Sequence, residues 1–422
     1  MATDKDIMSS LVATAPSALN AAAGQISTTN ALRLTGKLGK VLLILLLILN
    51  ARSWPMMWHF RVFRPVLWLR LQDMILRLRG LFMSRKRKIL MRDKWGDSIS
   101  PVGQHPIETV VPYKTWASFD DCDFNLHLSN SCYAKTLDAS RFKCSMQLFP
   151  MFFAAGGWIA LAGTHYHFIR EIPMLKAYEA RTSIVAWEQK WFYVLHKFVR
   201  KPTKKEAAQI AKQAARTSSA EKAKEREATD NAPIHPQIMA LRMPVVDDVT
   251  GSSPDPSATG TPNPSSSSSL NPPTSTQTTL SAAAAGLVSS ALANGGLEED
   301  GSILHTIVIS QCCFKIGRIT VPPALVLAAN GMTGARGYSH AAPHPEWASE
   351  ARKLRAVSEG GGLRTLRKFL TGGWKDVQEA AKKEGKKPWW DEAMGEEVAE
   401  TNKRNLALVE GLRFGMEGTR TI

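Results

Sequence analysis

The sequence predicts an α+β fold in which an antiparallel sheet surrounds one central helix. Apolar residues recur at helical spacing over residues 130–148, directly after a polar loop. Three strand-like runs follow between residues 158 and 199, and a further run occupies residues 304–316 after a long block of different composition. A helix and an antiparallel meander can bury each other's apolar faces, so these segments should form one packed domain.

The central helix is expected to run from about Asn130 to Leu148. Five residues at helical spacing form its sheet-facing side: Tyr133, Leu137, Ser140, Cys144 and Leu148. We therefore assign Tyr133 to core packing rather than to catalysis. Cys144 is a less favoured catalytic thiol, because no histidine lies near it in the sequence and its spacing turns it towards the core. Pro150 and the pair Gly156-Gly157 end the helix and its connection.

The sheet strands are predicted from runs of β-branched and aromatic residues. They are a first strand that starts near Glu108, the runs Trp158–Ile169, Ala177–Trp187 and Trp191–Val199, and a last strand from Leu304 that closes at Pro322-Pro323. His165, His167 and His196 lie within these strands, where a metal site is possible in principle. No cysteine or acid stands at ligand spacing beside them, so we interpret them as hydrogen-bonded side chains and expect neither a metal nor a cofactor.

The polar loop before the helix carries most of the chemically useful side chains, at Asp123, Asn125, His127 and Asn130. The free N–H groups at a helix N-terminus carry partial positive charge and can polarise a thioester or ester carbonyl. A carboxylate a few residues upstream can face the same carbonyl carbon. The pattern therefore favours acyl chemistry.

These residues resemble the signature of the hotdog-fold thioesterases, most closely the membrane-anchored, thioesterase-like branch, which reads Asp-x-Asn-x-His-x-Asn-Asn-x-x-Tyr. The matching residues are Asp123, Asn125, His127, Asn130 and Tyr133, and Ser129 replaces the first Asn of the pair. The similarity covers roughly residues 107–200 and 302–325. It implies a hotdog fold, a homodimer whose two sheets join edge to edge, and Asp123 as the catalytic carboxylate, since Asp123 is the second Asp of an Asp-Cys-Asp run.

The resemblance implies hydrolysis of acyl-CoA or a carrier-bound acyl thioester, in lipid or secondary metabolism. Asp123 would act as the nucleophile or as the base for a water, while Asn125 and His127 orient the loop or the leaving thiol. Substrate binding is assigned to the N–H groups around Asn130, Ser131 and Cys132. Asn125 and Asn130 are equally well explained as side chains that stitch the loop to its own backbone. A non-catalytic acyl-binding or scaffold protein on a membrane is the alternative function.

The formal net charge of +16 raises either nucleic acid or an anionic membrane as a partner. Residues 52–94 contain twelve Lys and Arg against two Asp, a net charge of +10, and they directly follow the apolar run Val41–Leu49. This position favours membrane lipids, and we expect no nucleic acid. The charge-free stretch between Lys40 and Arg52 is 11 residues, ~16 Å of helix, against the ~20 residues of a spanning helix. Both a single span and a re-entrant or interfacial anchor are therefore considered, the span being favoured.

The chain is divided by composition into seven segments. They are a flexible N-terminus (1–36), a membrane anchor (37–60), a basic amphipathic juxtamembrane segment (61–96), the first part of the hotdog domain (97–202), a low-complexity disordered insertion (203–301), the last hotdog strand (302–325) and a helical C-terminal extension (326–422). The C-terminal helices, near 346–357, 363–370, 373–385 and 390–414, are expected at the sheet edge or in solvent. The Lys and Arg excess after the anchor predicts that the catalytic domain faces the cytosol, and the resemblance suggests the endoplasmic reticulum.

Overall fold

The structure, a computed structural model, describes residues 33–209, 212 and 297–418. Apart from a short helical stretch at 204–209, the α-helices of this part are α1 (33–49), α2 (Met57–Gly80), α3 (Arg85–Ile99), α4 (Asn130–Leu148), α5 (Pro150–Ala154), α6 (Pro323–Ala329), α7 (Arg352–Arg355), α8 (Leu363–Lys368), α9 (Trp374–Lys383) and α10 (Trp389–Gly418). The strands are β1 (Val111–Trp116), β2 (Trp158–Phe168), β3 (Ala177–Trp187), β4 (Phe192–Arg200), β5 (Ile303–Ile316) and β6 (Ile319–Val321). We call β1 to β6 together with α4 the central domain.

The strands form one antiparallel sheet in the order β1-β3-β4-β5-β2, and the short strand β6 pairs with β5. Four long strands and the helix α4 agree closely with the segments predicted from the sequence. Strand β6 was not predicted, because three residues between turns give no readable alternation. The insertion joins β4 to β5, whose ends are neighbours in register at Arg200 and Ile303.

Helix α4 packs one face against the sheet. The five residues predicted for that face, Tyr133, Leu137, Ser140, Cys144 and Leu148, are all buried. The Tyr133 ring meets Phe168 and Phe198 edge to face, at centroid distances of 5.2 and 4.9 Å, an arrangement that aromatic quadrupoles favour. The assignment of Tyr133 to the core and of α4 to the centre of the fold is confirmed.

The C-terminal helices contribute to the core, and the expectation that they lie at the sheet edge or in solvent is wrong. Trp347, Leu366, Trp390 and Val398 are buried in the same cluster as Phe314 of β5. Helix α6 is almost wholly buried, so the boundary predicted between residues 325 and 326 falls inside a core helix. The apolar stripe looked thin in the sequence because the helices break at Gly372 and Gly395, where φ is +148° and +76°.

By compactness the chain divides into two units, Met1–Lys201 with Ser302–Ile422, and Pro202–Gly301. This division lies close to the predicted insertion. The Ser/Pro/Thr-rich stretch predicted to be disordered, 254–280, is outside the described residues, as are residues 1–32.

The N-terminal helices α1 and α2 differ in whether they pack on the rest of the protein. Every residue of α1 is exposed, whereas α2 lies against α4, with Val62 buried and Phe63 edge to face with Phe142. The segment predicted to lie along a membrane, 61–96, is therefore two helices, and α2 packs partly on protein. Between residues 33 and 418, wherever the structure describes the chain, no helix is long and apolar enough to cross a membrane. The single span predicted within 37–60 is not found, and the interfacial anchor stays a prediction.

Candidate active site

The polar loop predicted to carry the chemistry, which we call the site loop (residues 121–129), is a tight hairpin before α4. Cys122 and Leu128 form a β-bridge, and the Asp123 N–H donates to the carbonyl of His127 over 2.9 Å. Leu126 has φ of +62°, in the left-handed region that a leucine rarely adopts. The hairpin is thus closed by its own backbone, and its tip presents Phe124 and Leu126 to solvent.

Asp123 holds this hairpin closed. Its Oδ1 accepts the backbone N–H of Asn125 at 2.9 Å and that of His127 at 3.3 Å. The sequence suggested that the side chains of Asn125 and Asn130 hydrogen-bond to the loop backbone. In the structure Asp123 makes such hydrogen bonds. The second oxygen, Oδ2, has no hydrogen-bond partner among the described residues, so one face of the carboxylate remains available to a substrate or water.

The His127 imidazole lies beside the carboxylate of Glu171. Its Nδ1 lies 2.8 Å from Glu171 Oε2, although the contact is not aligned as a hydrogen bond. The site loop is tied to the chain after β2 at this point, because Leu128 N–H donates to Ile172 O at 2.8 Å and Met174 N–H donates to Leu126 O at 2.9 Å. The segment that follows β2 thus places a second carboxylate beside the predicted catalytic histidine.

The N-terminus of α4 follows directly after the site loop. Ser129 occupies the N-cap position, but its hydroxyl contacts Ser131 Oγ at 3.1 Å rather than capping a backbone N–H. The Cys132 N–H is occupied by Ser129 O at 2.8 Å, so the prediction that Cys132 offers its N–H to substrate is wrong. Asn130 and Ser131 have N–H groups for which the described residues supply no acceptor, because the first N–H groups of a helix lack an intrahelical partner.

Asp121, the first residue of the site loop, is buried. It accepts Ser118 Oγ at 2.6 Å and Lys135 Nζ at 2.9 Å, and its Oδ2 lies 3.8 Å from Arg52 Nη2. Burial raises the pKa of Asp121, but these hydrogen bonds and cations outweigh it and hold the pKa below the ordinary aspartate value. The site loop therefore begins at a buried carboxylate that stays charged.

A chain of polar side chains crosses the core behind α4. Thr182 Oγ1 lies 2.8 Å from both Ser140 Oγ and His196 Nδ1, and His196 Nε2 lies 3.1 Å from Ser310 Oγ. Burial lowers the pKa of His196 well below its usual value, so the ring is neutral. The interpretation of His196 as a hydrogen-bonded core histidine is confirmed.

Cys144 and Cys312 lie in the same core. Burial raises the pKa of each thiol to about 12, and a catalytic cysteine needs a thiolate. Cys144 is thus excluded as a catalytic thiol. In the part of the chain that the structure describes, no three His, Cys, Asp or Glu side chains cluster as metal ligands would.

The structure places Asp123 and His127 on the hairpin that leads into α4, and it leaves Asn125 exposed at the loop tip. Their catalytic roles stay predictions. Sequence reasoning missed Glu171 and Arg52, and for Asp121 it considered only repulsion of Asp123 and not the ion pairs with Lys135 and Arg52. Asp121 and Lys135 carry a weak signal, an acid upstream of a helix and a base in its second turn. Glu171 and Arg52 carry none, because their positions depend on where distant segments return.

Comparisons with known proteins give a consistent relationship. Residues 117–240, which include the site loop and α4, match the family model described as the Thioesterase-like superfamily. A "Probable thioesterase", atnL of Emericella nidulans, is 26% identical over 185 residues, which are 37% of this chain and 53% of that protein. A "Probable thioesterase" of Saccharomyces cerevisiae is 33% identical over 87 residues, 20% of this chain and 38% of that protein.

The protein THEM6 of Xenopus laevis is 32% identical over 81 residues, 19% of this chain and 39% of that protein. The chain spans about half the length of these relatives, or less. The family match itself covers the site loop, α4 and strands β2 to β4.

Proposed function

We propose, from the match of residues 117–240 to the thioesterase-like superfamily and from the hotdog arrangement of the central domain, that the chain hydrolyses acyl thioesters. The substrate class is acyl-CoA or an acyl group on a carrier protein. The observation that carries the proposal is the site loop, where a carboxylate with one unbound oxygen precedes two helix N-terminal N–H groups without acceptors. Lipid metabolism and secondary metabolism both use such substrates.

The mechanism assigns one task to each group. The N–H groups of Asn130 and Ser131 receive the thioester oxygen as negative charge develops on it. Asp123 Oδ2 takes a proton from a water that attacks the carbonyl carbon, the C–S bond breaks, and the thiolate leaves. His127, held beside Glu171, supplies a proton to the departing sulfur. The products are a carboxylic acid and a free thiol.

A non-catalytic acyl-binding protein is the second candidate, and one observation favours it. Asp123 Oδ1 is already engaged by two N–H groups of its own loop, so the carboxylate has a structural task without any substrate. The two candidates are separated by assaying the full-length, detergent-purified chain against acyl-CoAs of increasing chain length. Release of free thiol supports the hydrolase. Acyl-CoA binding without thiol release overturns it and supports the binder.

Membrane association is the second part of the proposal. It is supported by α1, whose residues from Val41 to Leu49 are exposed without interruption, because exposed apolar patches of this extent mark interaction surfaces in soluble proteins. Helix α2 adds exposed apolar residues, and the basic run Arg85–Lys88 begins α3. We propose an interfacial anchor at the endoplasmic reticulum with the central domain in the cytosol. Protease treatment of sealed microsomes tests this, since protection until detergent is added would reverse the topology.

A homodimer is the third part. Strand β2 is an edge strand of the sheet, and Trp158, Leu161 and Phe168 on it are exposed. An exposed apolar edge is a template for pairing with another strand. Strand β2 runs directly into the segment that carries Glu171, so a partner on this edge would lie close to the site loop.

A further inference from the structure

A large cavity lies on the side of the molecule where α4 ends. It measures about 910 Å³ and is formed by α2, α3, the C-terminal part of α4, α5 and the segment 355–365. We call it the α2–α3 cavity. From Asn130, beside the site loop, to Met146 in the cavity wall, α4 rises by about 24 Å at its usual pitch. The cavity is therefore separate from the candidate active site.

The walls of the α2–α3 cavity are largely apolar. They include Val66, Leu69, Ile99, Phe142, Met146 and Phe153. The volume lies within the range of roughly 300–1,000 Å³ found for ligand sites. Such walls suit a hydrocarbon chain, which gains binding energy from each methylene group removed from water.

Charged residues also line the cavity, and each of its three acids already has partners within the protein. Asp73 pairs with Arg77 at 2.6 Å and with Arg92 at 3.2 Å. Asp93 accepts the backbone N–H groups of Val357 and Ser358 at 3.1 and 2.8 Å.

The third acid of the cavity, Asp97, pairs with Arg352 at 3.2 Å and also with the buried Arg355. All three carboxylates of the lining are therefore occupied by partners within the protein. The charge that remains for a ligand is positive.

Two arginines of the lining have no carboxylate partner among the described residues. Arg70 on α2 and Arg364 on α8 are exposed, and no carboxylate among the described residues pairs with either. Arginine presents a planar fork of donors that matches a carboxylate or phosphate group. The cavity thus combines an apolar interior with unpaired positive charge on its lining.

The turn at residues 356–362, which lines the cavity, is closed by its own backbone hydrogen bonds. Gly361 N–H donates to Ala356 O at 2.9 Å, and Gly362 N–H donates to Leu354 O at 3.1 Å. A side chain at Gly361 would meet the backbone of Lys353 and Leu354. Below this turn, Arg355 donates to Ser100 Oγ at 2.8 Å and lies 4.9 Å from the centre of the Trp347 ring. This part of the cavity wall is therefore fixed by contacts within the protein itself.

We propose that the α2–α3 cavity binds a single-chain amphiphile with an anionic head group, a carboxylate or a phosphate. The chain occupies the apolar interior, and Arg70 and Arg364 bind the head group. The proposal does not depend on catalysis at Asp123, because the two sites are at opposite ends of α4.

The test measures binding to the full-length, detergent-purified chain by displacement of a fluorescent fatty acid. The probes are palmitate and palmitoyl lysophosphatidic acid, which distinguish a carboxylate from a phosphate source, with palmitoyl lysophosphatidylcholine as the zwitterionic control. Both anions should bind more tightly than the zwitterion. Shortening the chain by two carbons should weaken binding by on the order of tenfold.

Two variants and two controls make the proposal falsifiable. The double variant Arg70→Gln with Arg364→Gln should weaken binding of the anions at least tenfold while leaving the zwitterion unaffected, and Arg79→Gln, on the same helix but outside the cavity, should bind as the wild type does. Leu69→Trp, which places a larger ring in the cavity wall and narrows its apolar interior, should weaken binding of every probe. Asp123→Asn should bind normally, which separates this proposal from the proposed function. Unchanged binding in both the double variant and Leu69→Trp would overturn it.

Discussion

The guanidinium of Arg52 lies 3.8 Å from the buried carboxylate of Asp121. Arg52 follows closely after α1, the exposed apolar helix, and it also donates to Trp116 O at 2.6 Å and to Thr115 Oγ1 at 2.8 Å. Next to it, Ser53 donates to Asp120. The chain that leaves the proposed anchor is therefore fixed to β1 and to the base of the site loop. The position of the central domain relative to a membrane would be set by this attachment.

Replacing Asp121 by Asn should destabilise the fold more than replacing Arg52 by Gln. Asp121→Asn removes the charge that balances Lys135 and Arg52, with an expected loss of about 1–3 kcal/mol in the free energy of unfolding. Arg52→Gln leaves Asp121 bonded to Ser118 and Lys135, so a smaller loss is expected. Chemical denaturation in a constant detergent background measures both, and Ser53→Ala is the matched control. Equal losses would show that Arg52 rather than Lys135 balances the carboxylate.

Asp123→Asn should preserve the fold and lower the turnover number by ~10²-fold or more, the scale of a lost acid–base group. The fold is preserved because the Asn side chain keeps an oxygen that can accept the N–H groups of Asn125 and His127. Circular dichroism checks the fold, and thiol release from the best acyl-CoA measures turnover. Asp138→Asn, a half-buried carboxylate further along α4, is the control. A wild-type rate in Asp123→Asn would eliminate the mechanism.

Stability should fall as the pH is lowered below about 6.5, the ordinary histidine pKa. Burial, with Arg141 nearby, lowers the pKa of His196, and burial, with Arg200 nearby, lowers that of His305 to about 4. In this range the unfolded chain binds protons that the folded chain does not. Each histidine therefore removes about 1.4 kcal/mol of unfolding free energy per pH unit until its folded pKa is reached. The Asp121 contribution is lost only at lower pH, as its folded pKa is approached.

Denaturant titrations at pH 7 and pH 5 measure this loss. His196→Asn should lower stability at pH 7, because it breaks hydrogen bonds to Thr182 and Ser310, and it should also reduce the difference between the two pH values. A difference as large as that of the wild type would show that His196 does not titrate on unfolding.

Deleting residues 203–300 and inserting a short Gly/Ser turn should preserve activity. The ends of β4 and β5 are neighbours at Arg200 and Ile303, so a short turn can join them without moving either strand. Thiol release and the melting temperature of the deletion variant provide the measurement. An insoluble or inactive product would mean that the insertion supplies packing or covers the site, and the domain boundaries would need revision.

The limits of sequence prediction are visible in individual residues. Helix α4 was placed correctly because five buried residues share one period over 19 positions, and a local pattern suffices for a local element. Glu171 was missed because it lies 44 positions after His127 in the chain. It comes close to His127 only because the segment after β2 pairs with the site loop at Pro173. Such proximity depends on topology and leaves no mark in the neighbouring sequence.

The C-terminal core was missed for a different reason. Trp389, Trp390 and Val398 belong to one helical region, but the break at Gly395 changes the direction of the chain between them. A periodicity test assumes a straight helix, so apolar residues on either side of such a break do not read as one face. Similarly, α2 was assigned to a membrane surface because the sequence could not show that Val62 and Phe63 pack on the central domain.

The homodimer proposed for edge strand β2 should be weakened by Leu161→Lys. Leu161 is half exposed, at a bulge in the pairing of β2 with β5, and a lysine there places like charges together wherever two copies of β2 approach. Light scattering of the detergent-solubilised protein should therefore shift from dimer to monomer mass in this variant. Ile319→Lys on β6, an exposed apolar residue of a strand that pairs with β5 and not with β2, should remain a dimer. If the wild-type protein is active and monomeric, the dimer proposal is wrong, and the active site is completed within one chain.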